Sequence, residues 1–469
     1  MMDTATAALA IAGTLSGANV GFERVTTDSR ALRTGDLFVA LKGERFDGHD
    51  FVAQAFERGA AAAIVAAERM GALAGTARGS LVAVADPQAA LSALAAFWRR
   101  RFALPLAGIV GSNGKTTVKE MTAAILRAHF GAEVVLATAG NLNNHIGLPL
   151  TILGLRDGHR AAVIEIGMNH RGETAQLAAV AQPTIAVITN AQREHQEFMR
   201  SVAEVAREHA ALLDALPGRG IAVLNADDAH AGVWRDAVAR RNAEGRAIDV
   251  REFGLAAGAA FSARHRAAPW GSLVDARTPL GTARFELRAA GEHNVANALA
   301  AIAGATAAGA DLEAVRTGLS AFRPVAGRLE AKRALAGSAV IDDTYNANPD
   351  SVRAAIDVLA RSPGERWLIL GDMGEVGDQG PAFHREIGEH ARAAGIDRLL
   401  AAGELTRETV ASFGGGGEHF DSVDELVAAL VRGLAVAGTG ASVLVKGSRF
   451  MRMERVVAAL TGAAPGGAH

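Results

Sequence analysis

Short apolar runs alternate along this chain with longer segments whose apolar residues recur every three or four positions. The run Leu106-Ala107-Gly108-Ile109-Val110 has no polar face, so it reads as a strand covered on both sides. A glycine-rich loop follows, then a helix-period segment through Ile125. The pattern predicts further strands ending at Glu165, at Asn190 and at Asn225, each leading into a helical stretch. Strands and helices in strict alternation imply a mostly parallel, doubly wound sheet. From Arg264 to Arg288 the pattern changes to period two, as antiparallel strands require, and it enters a helix over His293 to Ala308. A second doubly wound unit is then expected, with strands at Ser338 to Ile341, Arg366 to Leu370, Arg398 to Ala401 and Ala441 to Val445.

Before the first of these units, short runs such as Leu37 to Leu41 are broken by turn clusters at Thr26 to Arg30 and Lys42 to Gly48, the mark of a small α/β unit. At 469 residues the chain exceeds what one core organises. Three domains are therefore expected, at 1–103, 104–324 and 325–469, the last boundary falling near Pro324 and Gly327. Gly414 to Gly417 reads as a flexible surface loop, and the tail after Thr461 as disordered.

Composition narrows the function classes. A formal net charge of -2 leaves no global basic field for nucleic acid or an anionic membrane, so a polyanion must be held locally. Without a single Cys, disulfide frameworks, thiolate metal sites and cysteine nucleophiles are excluded. The apolar stretch Ala5 to Ala12 is short and lacks a basic flank, and no run reaches the length of a membrane span. The expectation is a cytoplasmic monomer acting on small molecules.

The loop Gly111-Ser112-Asn113-Gly114-Lys115-Thr116-Thr117 carries the sharpest chemistry. Small residues let successive backbone N–H groups turn toward a phosphate, and the helix N-terminus adds its dipole. Lys115 can then reach the terminal phosphates of ATP, and Thr116 can ligate Mg2+. The strict phosphate-loop pattern would begin with glycine where Ile109 stands. Glu165 ends its apolar run at the carboxyl edge of the sheet, where a hard cation finds an oxygen ligand. Arg328, beside the second boundary, offers a fixed charge for a transferring phosphoryl group.

With Asn113 ahead of Gly114-Lys115-Thr116-Thr117, the loop resembles that of the Mur ligase and folylpolyglutamate synthetase superfamily, and the likeness extends over nearly the whole chain. The resemblance implies three α/β domains that bind a UDP sugar, ATP and an incoming amino acid in that order. It implies UDP-sugar contacts from Ser29, Arg30, Leu41, Lys42, Asp47, Gly48 and His49, and from Asn143 and Asn144 in the amide-rich loop Asn141 to Pro149. It also implies that His195 helps hold a second magnesium and that Asn294 and Asn297 face the adenine. Helix capping is the other reading of Asn294. One departure concerns the lysine that the family commonly carries in carbamylated form. His209 stands there, either as an uncharged substitute or as a plain helix-face residue.

In the last unit, Asp342-Asp343-Thr344-Tyr345-Asn346-Ala347-Asn348-Pro349 contains the only tyrosine of the chain. It is similar to the D-alanyl-D-alanine-adding branch of the family, as are Leu370 to Glu375 and Val445 to Arg449. On that basis Asp343 and Asn346 join the ATP side, and Tyr345, Asn348, Lys446, Ser448 and Arg449 the dipeptide side. Lys115, His195 and Arg328 are the candidate catalytic groups, and Thr116, Glu165 and His195 the candidate metal ligands. The implied reaction is ATP-driven amide formation between a UDP-N-acetylmuramoyl-tripeptide and D-alanyl-D-alanine. A family member using another amine and a nucleotide-binding switch without catalysis are the alternatives.

Overall fold

The computed structural model of the chain describes residues 1–73, 79–256, 258–268, 270–335, 337–437 and 440–462. The first unit is a five-stranded sheet in the order Thr14–Ser16, Ser80–Val84, Ala62–Ala66, Asp36–Val39, Arg24–Thr26, parallel except at its first pair. The helix Pro87–Arg99 leaves this sheet. Asp86 caps it by accepting from the amides of Gln88 (2.8 Å) and Ala89 (3.3 Å), and Pro87 in the first turn has no N–H to leave unpaired. Its far end is fastened to the next unit. Trp98 Nε1 donates to the Leu155 carbonyl (3.0 Å), and the buried Arg99 donates to that of Ala181 (3.1 Å). One apolar cluster accordingly runs from Ala7 through Trp98 to Ile248.

The central sheet has six parallel strands in the order Asp249–Phe253, Ile221–Asn225, Ile185–Ile188, Leu106–Val110, Ala161–Glu165, Val135–Ala137. Strand order reverses at Leu106–Val110, the position where open α/β sheets collect ligands. The glycine-rich loop leaves that strand. Helix Lys115–Phe130 then packs under Glu292–Ala307 and Leu312–Ala321. The approach is close: a Cβ at Gly318 would fall 2.6 Å from the Ile125 Cα. Beside these helices the antiparallel strands Ser262–Ala268, Gly271–Thr278 and Gly281–Leu287 form a separate sheet, and the last two bury alternate residues.

The third sheet has the order Glu330–Arg333, Ala339–Asp343, Ala441–Lys446, Glu365–Gly371, Arg398–Ala402, Gly417–Phe420, parallel apart from the Glu330–Arg333 edge. Apolar clusters cover both faces. The three-part α/β architecture is the one expected from the sequence.

Details differ. The strand expected to end at Asn190 stops at Ile188, because Asn190 turns its side chain to the Asn113 backbone. The Gly414 to Gly417 tract is exposed over its first three glycines, as the expected surface loop requires, and only Gly417 enters a strand. Gly414, at φ +82°, ends the helix Thr406–Phe413, and Gly417 opens an edge strand. The tail for which disorder is expected lies, from 463 onward, outside the described residues. Among the described residues, no helix is long and apolar enough to cross a membrane.

Candidate active site

A cavity of about 1020 Å³ opens where the carboxyl edges of the central and C-terminal sheets face each other. Its floor is the start of helix Lys115–Phe130. Gly114 is the N-cap at φ +85° and offers no side chain, so the first N–H groups of a 16-residue helix face the cavity without an internal acceptor. Gly114 cannot be replaced without displacement, since a Cβ there would sit 2.4 Å from Asn297 Oδ1. Asn190 Oδ1 accepts from the Asn113 amide (2.9 Å), and Asn113 Nδ2 donates to Gln192 Oε1 (2.6 Å), which fixes the loop.

Lys115 Nζ lies back over this loop, 3.2 Å from the Ser112 carbonyl and 3.3 Å from Glu194 Oε2. On the opposite wall Glu165 is buried. Its Oε1 accepts from Asn143 Nδ2 (2.7 Å), while Oε2 is buried with no hydrogen-bond partner. A buried, unpartnered carboxylate oxygen beside a phosphate-binding loop fits a hard cation. His195 occupies the left-handed region at φ +48°, a strained backbone for a non-glycine residue. Its Nδ1 lies 2.5 Å from Glu375 Oε2, and that approach holds the Glu375 carboxyl below the ordinary range against its burial. The other ring nitrogen lies 3.8 Å from Glu194 Oε2.

Glu194 itself is buried. Burial pushes its carboxyl up, but the charge of Lys115, followed by the contact and charge of His209 and the charge of His195, outweighs this and brings it to about 2. The C-terminal unit closes the roof. Arg193, from the same loop, donates to Asp350 Oδ1 (2.6 Å) and Glu386 Oε2 (2.6 Å), and Asn348 Nδ2 donates to Asn113 Oδ1 (3.0 Å). Lys446 Nζ donates to Asp343 Oδ2 (2.6 Å) and to the Asn346 carbonyl (2.8 Å). Arg328 stacks on the Tyr345 ring, 4.0 Å from its centroid, with its Nε buried and unpaired.

Three family models match the chain in succession: the Mur ligase family catalytic domain over 22–99, the Mur ligase middle domain over 109–305, and the Mur ligase glutamate ligase domain over 327–449. The chain belongs to the Mur ligase family. Among its Mur ligase relatives, the UDP-N-acetylmuramoyl-tripeptide--D-alanyl-D-alanine ligase of Escherichia coli is 40% identical, with 96% of each chain covered. The protein of the same name from Haemophilus influenzae is 37% identical over 94% of each. Of solved structures, MurF from Acinetobacter baumannii superposes with a TM-score of 0.87 at 32% identity, covering 97% of this chain and 98% of that one. MurF ligase from Thermotoga maritima in complex with ADP gives 0.79 at 27% identity, covering 94% and 97%.

In this Mur ligase the cavity gathers most of the residues singled out from the sequence. They are Ser112 to Thr117, Asn143, Asn144, Glu165, His195, Asn294, Asn297, Arg328, Asp343, Tyr345, Asn346, Asn348 and Lys446. Gly111 does not line it, although a Cβ there would meet Thr189 Oγ1 at 1.9 Å. Ser448 and Arg449 line a smaller recess that shares Asn346, Gly374 and Glu375 with the main cavity.

Ser29, Arg30, Leu41, Lys42, Asp47, Gly48 and His49 line neither. His49 is buried, with Nδ1 2.5 Å from Asp47 and Nε2 accepting from the Ala66 amide (2.9 Å). Asn294 does not cap its helix, as one reading had it. Gly291 is the N-cap, and Asn294 Nδ2 donates to the Ala290 carbonyl (2.7 Å). Glu194, Arg193, Asp350 and Glu386 carry much of the geometry and were not among the residues chosen from sequence. Only adjacency to His195 marked the first two, and a charge in a loop has no partner until the fold supplies one.

Proposed function

We infer that this Mur ligase joins D-alanyl-D-alanine to the terminal carboxylate of a UDP-N-acetylmuramoyl-tripeptide, with ATP consumed to ADP and phosphate, as a step of peptidoglycan precursor synthesis. The observation that carries the reading is the uncapped helix N-terminus with Lys115 facing Arg328, Tyr345 and Lys446 across one cavity. Relatives 40% and 37% identical, each named for that ligase and matched nearly end to end, support the choice of substrates. The units 1–103, 104–324 and 325–469 would take the UDP sugar, ATP and dipeptide respectively.

A carboxylate is a poor acyl donor. Its oxygen attacks the γ-phosphorus of ATP, the bond to the β-bridging oxygen breaks, and ADP leaves with the electron pair. The helix amides and Lys115 hold the phosphates, and Arg328 balances charge on the transferred group. The dipeptide amine then adds to the acyl carbon, and phosphate departs from the tetrahedral adduct. The nitrogen's proton passes to the departing phosphate, and the amide remains. Lys446, held in the roof by Asp343, and Ser448 and Arg449 in the adjoining recess would orient the dipeptide. Closure of the C-terminal unit keeps water from the acyl phosphate. Tripeptide labelled with 18O in its terminal carboxylate should yield phosphate carrying one label; unlabelled phosphate would sink the acyl-phosphate route.

Thr116, Glu165 and His195 would hold magnesium, which when bound supplies positive charge to the nucleotide's phosphate oxygens. The free Glu165 Oε2 is the reason to expect it. Chelation with EDTA should abolish turnover. Glu165→Gln should raise the magnesium concentration for half-maximal rate by about tenfold, and an unchanged requirement would remove Glu165 from the metal. Tyr345→Leu takes away the ring on which Arg328 stacks, a contact worth about 1 kcal/mol, so kcat/KM should fall roughly fivefold. Equal values for the two proteins would deny Tyr345 that role.

A further inference from the structure

Three basic side chains from three places converge on one buried carboxylate. Glu194 Oε2 is 3.3 Å from Lys115 Nζ at the helix start and 3.8 Å from His195 Nε2 in its own loop. Its Oε1 is 3.2 Å from His209 Nε2, on the helix Val202–Asp214. His209 is buried, and both its ring nitrogens, like Glu194 Oε1, are enclosed without a hydrogen bond, so its tie to Glu194 is the close approach itself. An ionised carboxylate in such a place costs several kcal/mol unless it is paired. Structural ion pairs meet that cost with partners that have no other task. Here two of the three, Lys115 and His195, line the cavity in which phosphoryl transfer is inferred.

Lys115 also leans on the Ser112 carbonyl, so without Glu194 it would be held only by its own loop. An imidazole at 209 has no primary amine with which to take up carbon dioxide, so the negative charge at this spot is written into the sequence at 194. We propose that Glu194, steadied by His209, is a positioning residue for phosphoryl transfer that aims Lys115 and His195 into the cavity without any modification of residue 209. The proposal rests on the ligase reading and adds a residue to it.

The test compares wild type, Glu194→Gln, Glu194→Asp and His209→Gln for kcat, KM of each substrate and thermal midpoint, with ligation by wild type measured first. That first step separates failure of the ligase reading from failure of this one. Glu194→Gln should lower kcat about 100-fold while KM for ATP stays within about threefold, and Glu194→Asp should recover about tenfold of the loss. Should the Gln variant fail to fold, His209→Gln, which keeps the carboxylate and loosens it, should still cost about tenfold in kcat. Removing bicarbonate and carbon dioxide should leave the wild-type rate unchanged. A Gln variant within threefold of wild type, a loss confined to KM for ATP, or a bicarbonate requirement would each overturn the proposal.

Discussion

Lys115→Ala should lower turnover by roughly 10³-fold at saturating ATP, with the fold retained, because a lysine at a phosphate-binding loop acts on charge that grows during transfer. The side chain is partly open, and the loop beneath it is fixed by Asn190 and Gln192 rather than by the lysine. Removing the ammonium leaves the imidazoles of His209 and His195 beside Glu194, so the buried carboxylate keeps polar neighbours. The check is kcat by phosphate release beside the thermal midpoint. A loss under tenfold with an intact midpoint would mean that another group, Arg328 foremost, holds the transferring phosphate.

Arg193→Ala should cost about 2 kcal/mol in kcat/KM, roughly 30-fold, by weakening closure of the C-terminal unit. Arg193 is the neighbour of Glu194 and His195 in sequence. Through it the loop that shapes the site is tied to Asp350 and Glu386 on the facing unit. Cutting the tie should move kcat and KM together, the pattern of a closing element. The same pair sets a pH dependence. Arg193, with Arg353 beside it, holds the Glu386 carboxyl below its ordinary value of 4.5. The pair therefore favours the closed arrangement fully above that pH, and its contribution is lost as the pH falls through the lowered value. The wild-type-to-variant ratio should hold across neutral pH and shrink below about 4.5; a ratio that shrinks between pH 7 and 6 would point to a histidine instead.

Much of the architecture was legible because buried parallel strands are written as unbroken apolar runs. Leu106–Val110, Ala161–Glu165 and Ala441–Lys446 are of this kind. The edge strands Val135–Ala137, Asp249–Phe253, Glu330–Arg333 and Gly417–Phe420 went unread, since they are short or half-exposed and depend on a neighbour already in place. The phosphate-binding loop could be read for a similar reason: its chemistry is local, with helix, glycines and lysine adjacent. Glu194 and the Arg193 tie could not. Their meaning comes from partners 15 to 193 positions away, at His209, Asp350 and Glu386, which only the tertiary fold brings near.

The central claim is that ATP turnover in this cavity is spent on joining two substrates. Phosphate release with ATP and magnesium, adding UDP-N-acetylmuramoyl-tripeptide and D-alanyl-D-alanine singly and then together, tests it most directly. The account predicts sustained release only with both present, matched one for one by the UDP-N-acetylmuramoyl-pentapeptide. Release that ignores the two substrates, or sustained release that makes no pentapeptide, would contradict it.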